Sequence, residues 1–230
     1  KLGPVKYHNV VASIKGTKYP DEYVIISGHL DSYDVATGGI DCGTGIGPMM
    51  EAARMIALSG AKPKRTILFV AFAGEEFGLL GAKSYVKTHA KELGKIANLF
   101  NRDGGPTPPV GISVPQAMYD DFVEVCKPVK EIRADYPFEV KVAKPFKRPT
   151  QSGGTDASVF AVEGVPTFGF NTQDIKGYNF SYGEIWHTER DLYTKNIPEY
   201  QEHAATVTAV VALGIANLSK QLSREGMHKK

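Results

Sequence analysis

Residues that can bind metal or move protons cluster in one glycine-rich stretch of this 230-residue chain. The stretch GHLDSYDVATGGID, residues 28–41, places His29, Asp31 and Asp41 within thirteen residues, after the apolar run YVIIS. A loop with so much glycine does not bury such side chains in an ordinary core. An imidazole with one carboxylate two residues away and another across the loop is what a metal site with a supported histidine requires. The stretch therefore predicts part of a metal site, whose other ligands must come from elsewhere.

Two adjacent glutamates and one aspartate follow other apolar runs. Glu75 and Glu76 follow TILFVAFAG (66–74), and Asp103 ends IANLFNRD (96–103). Taken alone, the glutamates are equally consistent with a solvated pair at a strand end, and an aspartate before two glycines is usually a turn residue. In a partly dry site adjacent carboxylates repel each other, and a divalent cation removes that repulsion. One glutamate can then bind metal while its neighbour serves as a general base.

His187, in WHTERD, is the fifth candidate ligand. A histidine beside a tryptophan is by itself more often a packed or capping residue than a ligand. Two histidines, two aspartates and one glutamate together make five ligands, which suits two zinc ions that share a bridging carboxylate. The sum of these residues, more than any one of them, predicts the metal site.

The elements that must position these residues alternate along the chain. Strand-like runs cover residues 9–16, 23–29, 66–74, 96–103 and 165–170, and helix-like runs cover 44–59, 78–93, 118–126, 156–164 and a last segment from Pro198. This alternation predicts an α/β fold, a three-layer sandwich with a mixed, mostly parallel central sheet and helices on both faces. In such folds ligands bind outside the carboxyl ends of the strands, where the candidate residues fall. We also predict that 9–16 pairs with 23–29, and that Pro128 ends or kinks the third helix.

Composition bounds the remaining alternatives. With 42% hydrophobic residues, the chain can form a single domain over residues 1–230. A net charge of +2 argues for neither nucleic acid nor a membrane surface as a partner. No apolar run approaches the roughly 18 residues that a membrane-spanning helix needs. The two cysteines, Cys42 and Cys126, could form one disulfide, and their number does not decide whether the protein functions in an oxidising or a reducing compartment.

Five motifs, in this order and spacing, resemble those of the co-catalytic zinc aminopeptidase family. They are GHLDSYDVATGGIDCG, AFAGEEFGLLGAKSY, NRDGG, GGTDASVFAVEGVP and WHTERD. Within the family, the resemblance is closest to the carboxypeptidase Q branch and extends from about residue 8 to about residue 220. It implies two Zn²⁺ ions per chain. Asp41 would bridge them, His29 and Asp103 would complete the protein ligands of one ion, and Glu76 and His187 those of the other.

The resemblance also implies roles outside the ligand set. Glu75 would be the general base, and the carboxylate of Asp31 would bond the far nitrogen of His29 and fix its tautomer. Asp156, interpreted as a helix N-cap near the cleft, and the two tyrosines Tyr178 and Tyr182 are further candidates for substrate contact. For each of these three, a packing role is at least as consistent with the sequence.

Two residues depart from the family pattern. Cys42 stands where the family usually has Asp or Asn, and we interpret it as a small packed residue, with metal contact as the alternative. Arg102 replaces a small residue before Asp103. It is either a surface charge, which we favour, or a cation that faces the substrate.

The resulting hypothesis is a di-zinc metallo-exopeptidase that hydrolyses the N-terminal bond of dipeptides or short unblocked peptides. Two alternatives are a glutaminyl-cyclase-like acyltransferase with one zinc and a catalytically inactive binding domain of the same fold. The complete ligand set and Glu75 favour the peptidase. The resemblance further implies a homodimer, an extracytoplasmic setting (secreted or periplasmic) and an additional N-terminal region that this chain lacks.

Overall fold

The computed structural model describes residues 3–229, without the side chain of Lys229. Within them the predicted strands and helices occur in the predicted order, together with four further strands that were not predicted. The strands are β1 (Val10–Ile14), β2 (Tyr19–His29), β3 (Arg65–Phe72), β4 (Ile96–Asn101), β5 (Pro109–Pro115), β6 (Glu139–Ala143), β7 (Phe146–Lys147), β8 (Phe170–Thr172) and β9 (Met227–Lys229). The α-helices are α1 (Gly43–Leu58), α2 (Leu80–Thr88), α3 (Tyr119–Ile132), α4 (Asp156–Val162) and α5 (Pro198–Ala216).

The central sheet has the strand order β1-β3-β2-β4. β2 runs parallel to both of its neighbours, and β1 is antiparallel to β3. The predicted α/β class with a mixed, mostly parallel sheet is therefore confirmed. The predicted pairing of 9–16 with 23–29 is wrong, because β2 is buried along its second half and has a parallel strand on each side. The largely exposed β1 lies instead at the sheet edge, against β3.

Side chains alternate between the two faces of this sheet, as the pleat of a strand requires. One face packs with α1 and α5 and includes Val24, Ile26, Ile67 and Phe69. The opposite face packs with α2 and α4 and includes Ile25, Val70, Phe72 and Leu99. Because every one of these side chains is buried, helices cover both faces and the three-layer arrangement follows.

A smaller sheet, β6-β5-β8, adjoins the central one. Residues 165–170 were predicted as a strand, but only Phe170–Thr172 forms one. The backbone N–H of Leu99 nevertheless donates to the carbonyl of Pro166 at 2.9 Å, so the segment before β8 lies alongside β4. This contact connects the segment before β8 to the strand that Asp103 follows.

Pro128 lies inside α3, which continues to Ile132. The prediction that it ends the helix is wrong. Val125, Cys126 and Val129 are buried in the core on both sides of the proline, and this packing offsets the hydrogen bond that proline cannot donate.

Both cysteines, Cys42 and Cys126, are free and buried, so no disulfide joins them. No helix in the described part of the chain has the length and apolarity needed to cross a lipid bilayer.

Candidate metal centre

Three parallel strands bring four of the predicted site residues to one edge of the central sheet. His29 is the last residue of β2, Glu75 and Glu76 lie three and four residues after β3, and Asp103 lies two residues after β4. The registers place His29 opposite Phe72 and Ser27 opposite Asn101, so the three strands end at nearly the same level. Apolar runs that end together in a parallel sheet therefore position the polar residues that follow them.

Asp41 lies at the centre of the cluster. Its Oδ1 atom is 2.9 Å from Nε2 of His29, and its Oδ2 atom accepts a hydrogen bond of 2.7 Å from the hydroxyl of Tyr182. The same Nε2 atom is 3.5 Å from Oδ1 of Asp103. One imidazole nitrogen thus faces two carboxylates, which is the arrangement expected of ligands that converge on one cation.

A second imidazole and carboxylate pair lies beside the first. Nε2 of His187 is 2.9 Å from Oε2 of Glu76. Ligand atoms of His29, Asp41 and Glu76 all lie within 4.8 Å of one another. Asp41 is therefore near both pairs, as a bridging residue must be. The structure brings all five predicted ligands together.

The carboxylate of Asp31 does not bond His29 as predicted. Nδ1 of His29 lies 2.9 Å from the backbone carbonyl of Asp31, whereas the Asp31 carboxylate is 3.9 Å away. That carboxylate instead accepts the backbone N–H groups of Glu75 and Glu76 at 3.1 and 3.2 Å. A carbonyl can only accept a hydrogen bond, so Nδ1 carries a proton, and Nε2 can donate to Asp41 in the metal-free protein or bind a metal once it has lost its own proton. Asp31 thus orients both His29 and the loop that carries Glu75 and Glu76, which we call the glutamate loop.

Asp191, the last residue of WHTERD, was not predicted as part of the site. Its buried carboxylate accepts the backbone N–H of Ile40 at 2.6 Å and that of Asp41 at 3.2 Å. Gly39 permits this approach, because a Cβ atom there would lie 2.2 Å from the backbone of Leu192. Asp191 therefore holds the loop that presents Asp41. Its position four residues after a candidate ligand was the available sequence signal.

We expect Asp191→Ala to lower the free energy of unfolding of the metal-free protein by about 3 kcal/mol, because two buried backbone N–H groups lose a charged acceptor. Asp191→Asn keeps one acceptor oxygen and should lose about half as much. Urea unfolding of both variants, with the exposed Glu189→Ala as control, measures the difference. Equal stability of Asp191→Ala and the wild type would contradict this role.

Glu75 lies in a cleft of about 570 Å³ at this edge of the sheet. The cleft is also lined by Asp41, Glu76, Asp103, Tyr182, Trp186 and His187. Burial raises the pKa of Glu75 to about 8, and the negative charge of Asp103 contributes to the rise. Glu75 is thus a carboxylate beside the cluster that binds a proton near neutral pH.

The electrostatics of the cluster fit a cation. Burial alone would lower the pKa of His29, but its contacts with Asp103 and Asp41 raise that pKa far above its usual value. Burial and the charge of Asp41 raise the pKa of Glu76, whose Oε1 atom is buried without a hydrogen-bond partner among the described residues. Crowded carboxylates and an unpaired oxygen are groups that a divalent cation would stabilise. Two imidazoles and three carboxylates are donors that zinc accepts.

The three candidates for substrate contact have different surroundings. Tyr182 lines the cleft, whereas the hydroxyl of Tyr178 donates to Glu199 and its ring packs edge-on against Tyr200 at 5.4 Å. Tyr178 is not among the described residues that line the cleft. It instead anchors the loop that leads to Tyr182.

Asp156 is not the N-cap of α4. The N-cap is Thr155, and Asp156 is the first helical residue, fully buried, with no hydrogen-bond partner for either oxygen among the described residues. Burial raises its pKa to about 7, although the charge of His29 acts in the opposite direction. Asp156 is therefore buried next to Thr155, which lines the cleft, and its carboxyl group is partly protonated near neutral pH.

Cys42 and Arg102 both pack against backbone beside the site, and the Sγ atom of Cys42 also lies within 4.8 Å of ligand atoms of His29 and Asp103. The thiol of Cys42 donates to the carbonyl of Arg102 at 3.0 Å, and its sulfur is close enough to Gly45 that a Cβ atom there would lie 2.5 Å away. The guanidinium of Arg102 donates to the carbonyls of Thr44 at 2.7 Å and Thr107 at 3.0 Å, and burial lowers its pKa to about 10. The expectation that Arg102 is a surface charge is wrong. Its side chain instead ties the start of α1 to the loop after Asp103.

An α/β sandwich that gathers histidines and carboxylates beyond the carboxyl ends of parallel strands defines a metallopeptidase-type domain. The sequence profile described as Peptidase family M28 matches residues 9–211. The chain belongs to this family of hydrolases, and the family predicted from its motifs is confirmed.

Individual relatives agree with this assignment. Carboxypeptidase Q of Rattus norvegicus is 32% identical over 216 residues, which cover 94% of this chain and 43% of that protein. A crystal structure of a peptidase M28 precursor from Shewanella amazonensis SB2B is 33% identical, with a TM-score of 0.77 over 94% of this chain and 46% of that one. A zinc aminopeptidase from Bacillus subtilis, 21% identical with a TM-score of 0.68, covers 96% of this chain and 53% of that one and shares its fold. The chain thus spans less than half the length of the curated relative.

Proposed function

We propose that this chain is the catalytic domain of a zinc exopeptidase, which hydrolyses the N-terminal peptide bond of dipeptides or short peptides with a free amino group. The position of Glu75 carries the proposal, because this buried carboxylate lies in the same cleft as four of the five candidate ligands, Asp41, Glu76, Asp103 and His187. The similarity to carboxypeptidase Q and to a zinc aminopeptidase supports both the metal and the exopeptidase activity.

Two zinc ions per chain fit the donor set best. His29, Asp41 and Asp103 would hold one ion, and the second would be held by Asp41 together with Glu76 and His187. The unpaired Oε1 atom of Glu76 supports this division, because a cation would stabilise a buried oxygen that has no hydrogen-bond donor. When bound, zinc would supply Lewis acidity and make water acidic enough to lose a proton near neutral pH.

The side chains of the cleft supply the proton transfers. Glu75 takes a proton from the attacking water at a carboxylate oxygen and returns it to the leaving amine. A general base works best when its pKa lies near the working pH; burial raises the pKa of Glu75 in the metal-free cleft to about 8, and bound zinc would lower it from there. The hydroxyl of Tyr182 holds Asp41 in place through its 2.7 Å hydrogen bond.

We expect specificity for the N-terminal residue to come from the free α-amino group of the substrate. Asp41, Glu76 and Asp103 are engaged as proposed zinc ligands and Lys83 also lines the cleft, so the amino group would bind beside the metal position. A substrate held there would present its first peptide bond to Glu75. Acetylation of the amino group should therefore weaken productive binding.

A panel of dipeptides, each tested free and N-acetylated with zinc-loaded protein, tests the proposal. We expect kcat/KM to fall at least about 100-fold on acetylation, because the buried polar groups that meet the amine are left unpaired. The metal-free protein is the control and should be inactive. Equal turnover of free and acetylated peptides would contradict the exopeptidase assignment. Cyclisation of N-terminal glutamine without peptide hydrolysis would instead support the acyltransferase.

A further inference from the structure

The imidazole of His187 lies between two aromatic rings. Its ring centroid is 4.1 Å from that of Tyr33, with an angle of 7° between the planes, and 4.2 Å from that of Trp186, with an angle of 33°. Tyr33 and Trp186 do not stack on each other in the described part of the chain, so they contact the imidazole from different sides. We call Tyr33 and Trp186 the aromatic clamp.

The two rings of the clamp are unusually exposed for aromatic side chains. Tyr33 is 38% exposed and Trp186 is 51% exposed. Phe77 stacks on Tyr33 from the adjacent glutamate loop, with centroids 6.4 Å apart, and is 62% exposed. Hydrophobic burial therefore explains little of this cluster, and exposed apolar side chains that gather at one place usually serve a function.

His187 and His29 are held in different ways. The buried His29 has both ring nitrogens engaged, because Nδ1 bonds the carbonyl of Asp31 while Nε2 faces the carboxylates. Histidine ligands nearly always use their second nitrogen in this way, which sets the ring orientation. Among residues 3–229, no group forms a hydrogen bond with Nδ1 of His187. The polar side-chain contact of this imidazole within that range is the one between Nε2 and Oε2 of Glu76, at 2.9 Å.

The backbone around His187 is hydrogen-bonded, with the N–H of Trp186 donating to Tyr182 at 2.9 Å and that of Thr188 donating to Ile185 at 3.0 Å, but these bonds do not orient the imidazole. The residue lies in a loop between two short turns, and its φ of +59° is in the left-handed region that non-glycine residues seldom adopt. Its side chain is 28% exposed, compared with 1% for His29. An imidazole with one polar contact on such a loop can rotate about its side-chain bonds unless its faces are held.

We infer that Tyr33 and Trp186 are positioning residues for His187. Their ring faces take the place of the hydrogen bond that orients His29, and they keep Nε2 of His187 directed at Glu76. This inference rests on the proposed role of His187 as a zinc ligand. It predicts that the affinity of the zinc position formed by Glu76 and His187 depends on the clamp.

The decisive comparison is between Tyr33→Ala and Tyr33→Phe, measured as zinc affinity by competition with a chromophoric chelator. His187→Ala identifies which binding step belongs to that histidine. We expect Tyr33→Ala to weaken this step by about 10-fold or more, as is usual when the partner that orients a ligand is lost. Tyr33→Phe keeps the ring and should remain within about twofold of the wild type, because the stacking does not need the hydroxyl. Tyr193→Ala, which removes a 79% exposed tyrosine outside the clamp, is the matched control.

Trp186→Leu provides an independent second test, and it should weaken the same step. Circular dichroism of each metal-free variant verifies that the chain is folded. Unchanged zinc affinity in both Tyr33→Ala and Trp186→Leu would overturn the inference. A raised KM with unchanged zinc affinity would also overturn it, because the rings would then bind substrate. If His187→Ala binds zinc as tightly as the wild type, the proposed ligand set fails, and that result is distinct from failure of the clamp.

Discussion

Glu75→Gln is expected to lose about 10³-fold in kcat while it retains its zinc. The amide has nearly the same shape as the carboxylate but cannot accept a proton from water at neutral pH. Glu75 is outside the proposed ligand set, so the metal content should stay at the wild-type value. Steady-state kinetics on an unblocked dipeptide, together with elemental analysis of the same sample, measures both quantities.

The matched control is Glu189→Gln, which removes one negative charge at an exposed position two residues from His187. It should keep kcat within about twofold, because an exposed carboxylate is screened by solvent and salt. If Glu75→Gln is as active as this control, Glu75 is not the base. Loss of zinc in Glu75→Gln would also contradict the assignment, since the carboxylate would then be a ligand.

Removal of the metal is the second change with a large expected effect. A strong chelator should abolish peptide hydrolysis, and added zinc should restore it, because the Lewis acidity comes from the ion. The restored protein should hold two zinc ions per chain. The metal-free form should also unfold at a lower temperature. Zinc that binds only the folded state stabilises that state, and without zinc the carboxylates of the cluster repel one another.

Two variants distinguish the two metal positions. Asp41→Ala should lose both ions, because Asp41 contributes to each position, whereas His187→Ala should lose one. Activity that is indifferent to the chelator would exclude the metal mechanism. A single tightly held zinc in the wild type, without peptide hydrolysis, would favour the glutaminyl-cyclase-like alternative.

Three of the five candidate metal ligands could be predicted before the fold was known, because each of these three follows a pattern that is local in sequence. His29, Glu76 and Asp103 come directly after apolar runs, and such runs in an alternating chain form parallel strands whose ends meet. His187 had no such pattern and depended on the resemblance of WHTERD to a known motif. The position of a ligand along the chain is therefore easier to predict than the contacts that hold it.

The predictions that failed concern contacts between residues that are distant in sequence, or local structures whose free energy depends on how the surrounding core packs. The carboxylate of Asp31 binds the glutamate loop and not His29, because the backbone N–H groups of Glu75 and Glu76 need an acceptor. Pro128 stays inside a helix because the core on both sides offsets its missing donor. β1 pairs with β3 because β2 already has a parallel neighbour on each side. None of these outcomes is a property of a short segment.

The sequence by itself predicted the α/β class and three candidate ligands at strand ends, because apolar periodicity and strand-end residues are local features, and its motifs predicted the family together with Asp41 and His187. Only the tertiary structure decided what supports those ligands. Asp191 reaches Ile40 across 151 residues of chain, and Tyr33 contacts His187 although the two residues are far apart in the sequence. Hydrogen bonds and ring stacking act only over a few ångströms, so these partners exist only after the sheet has brought distant loops together.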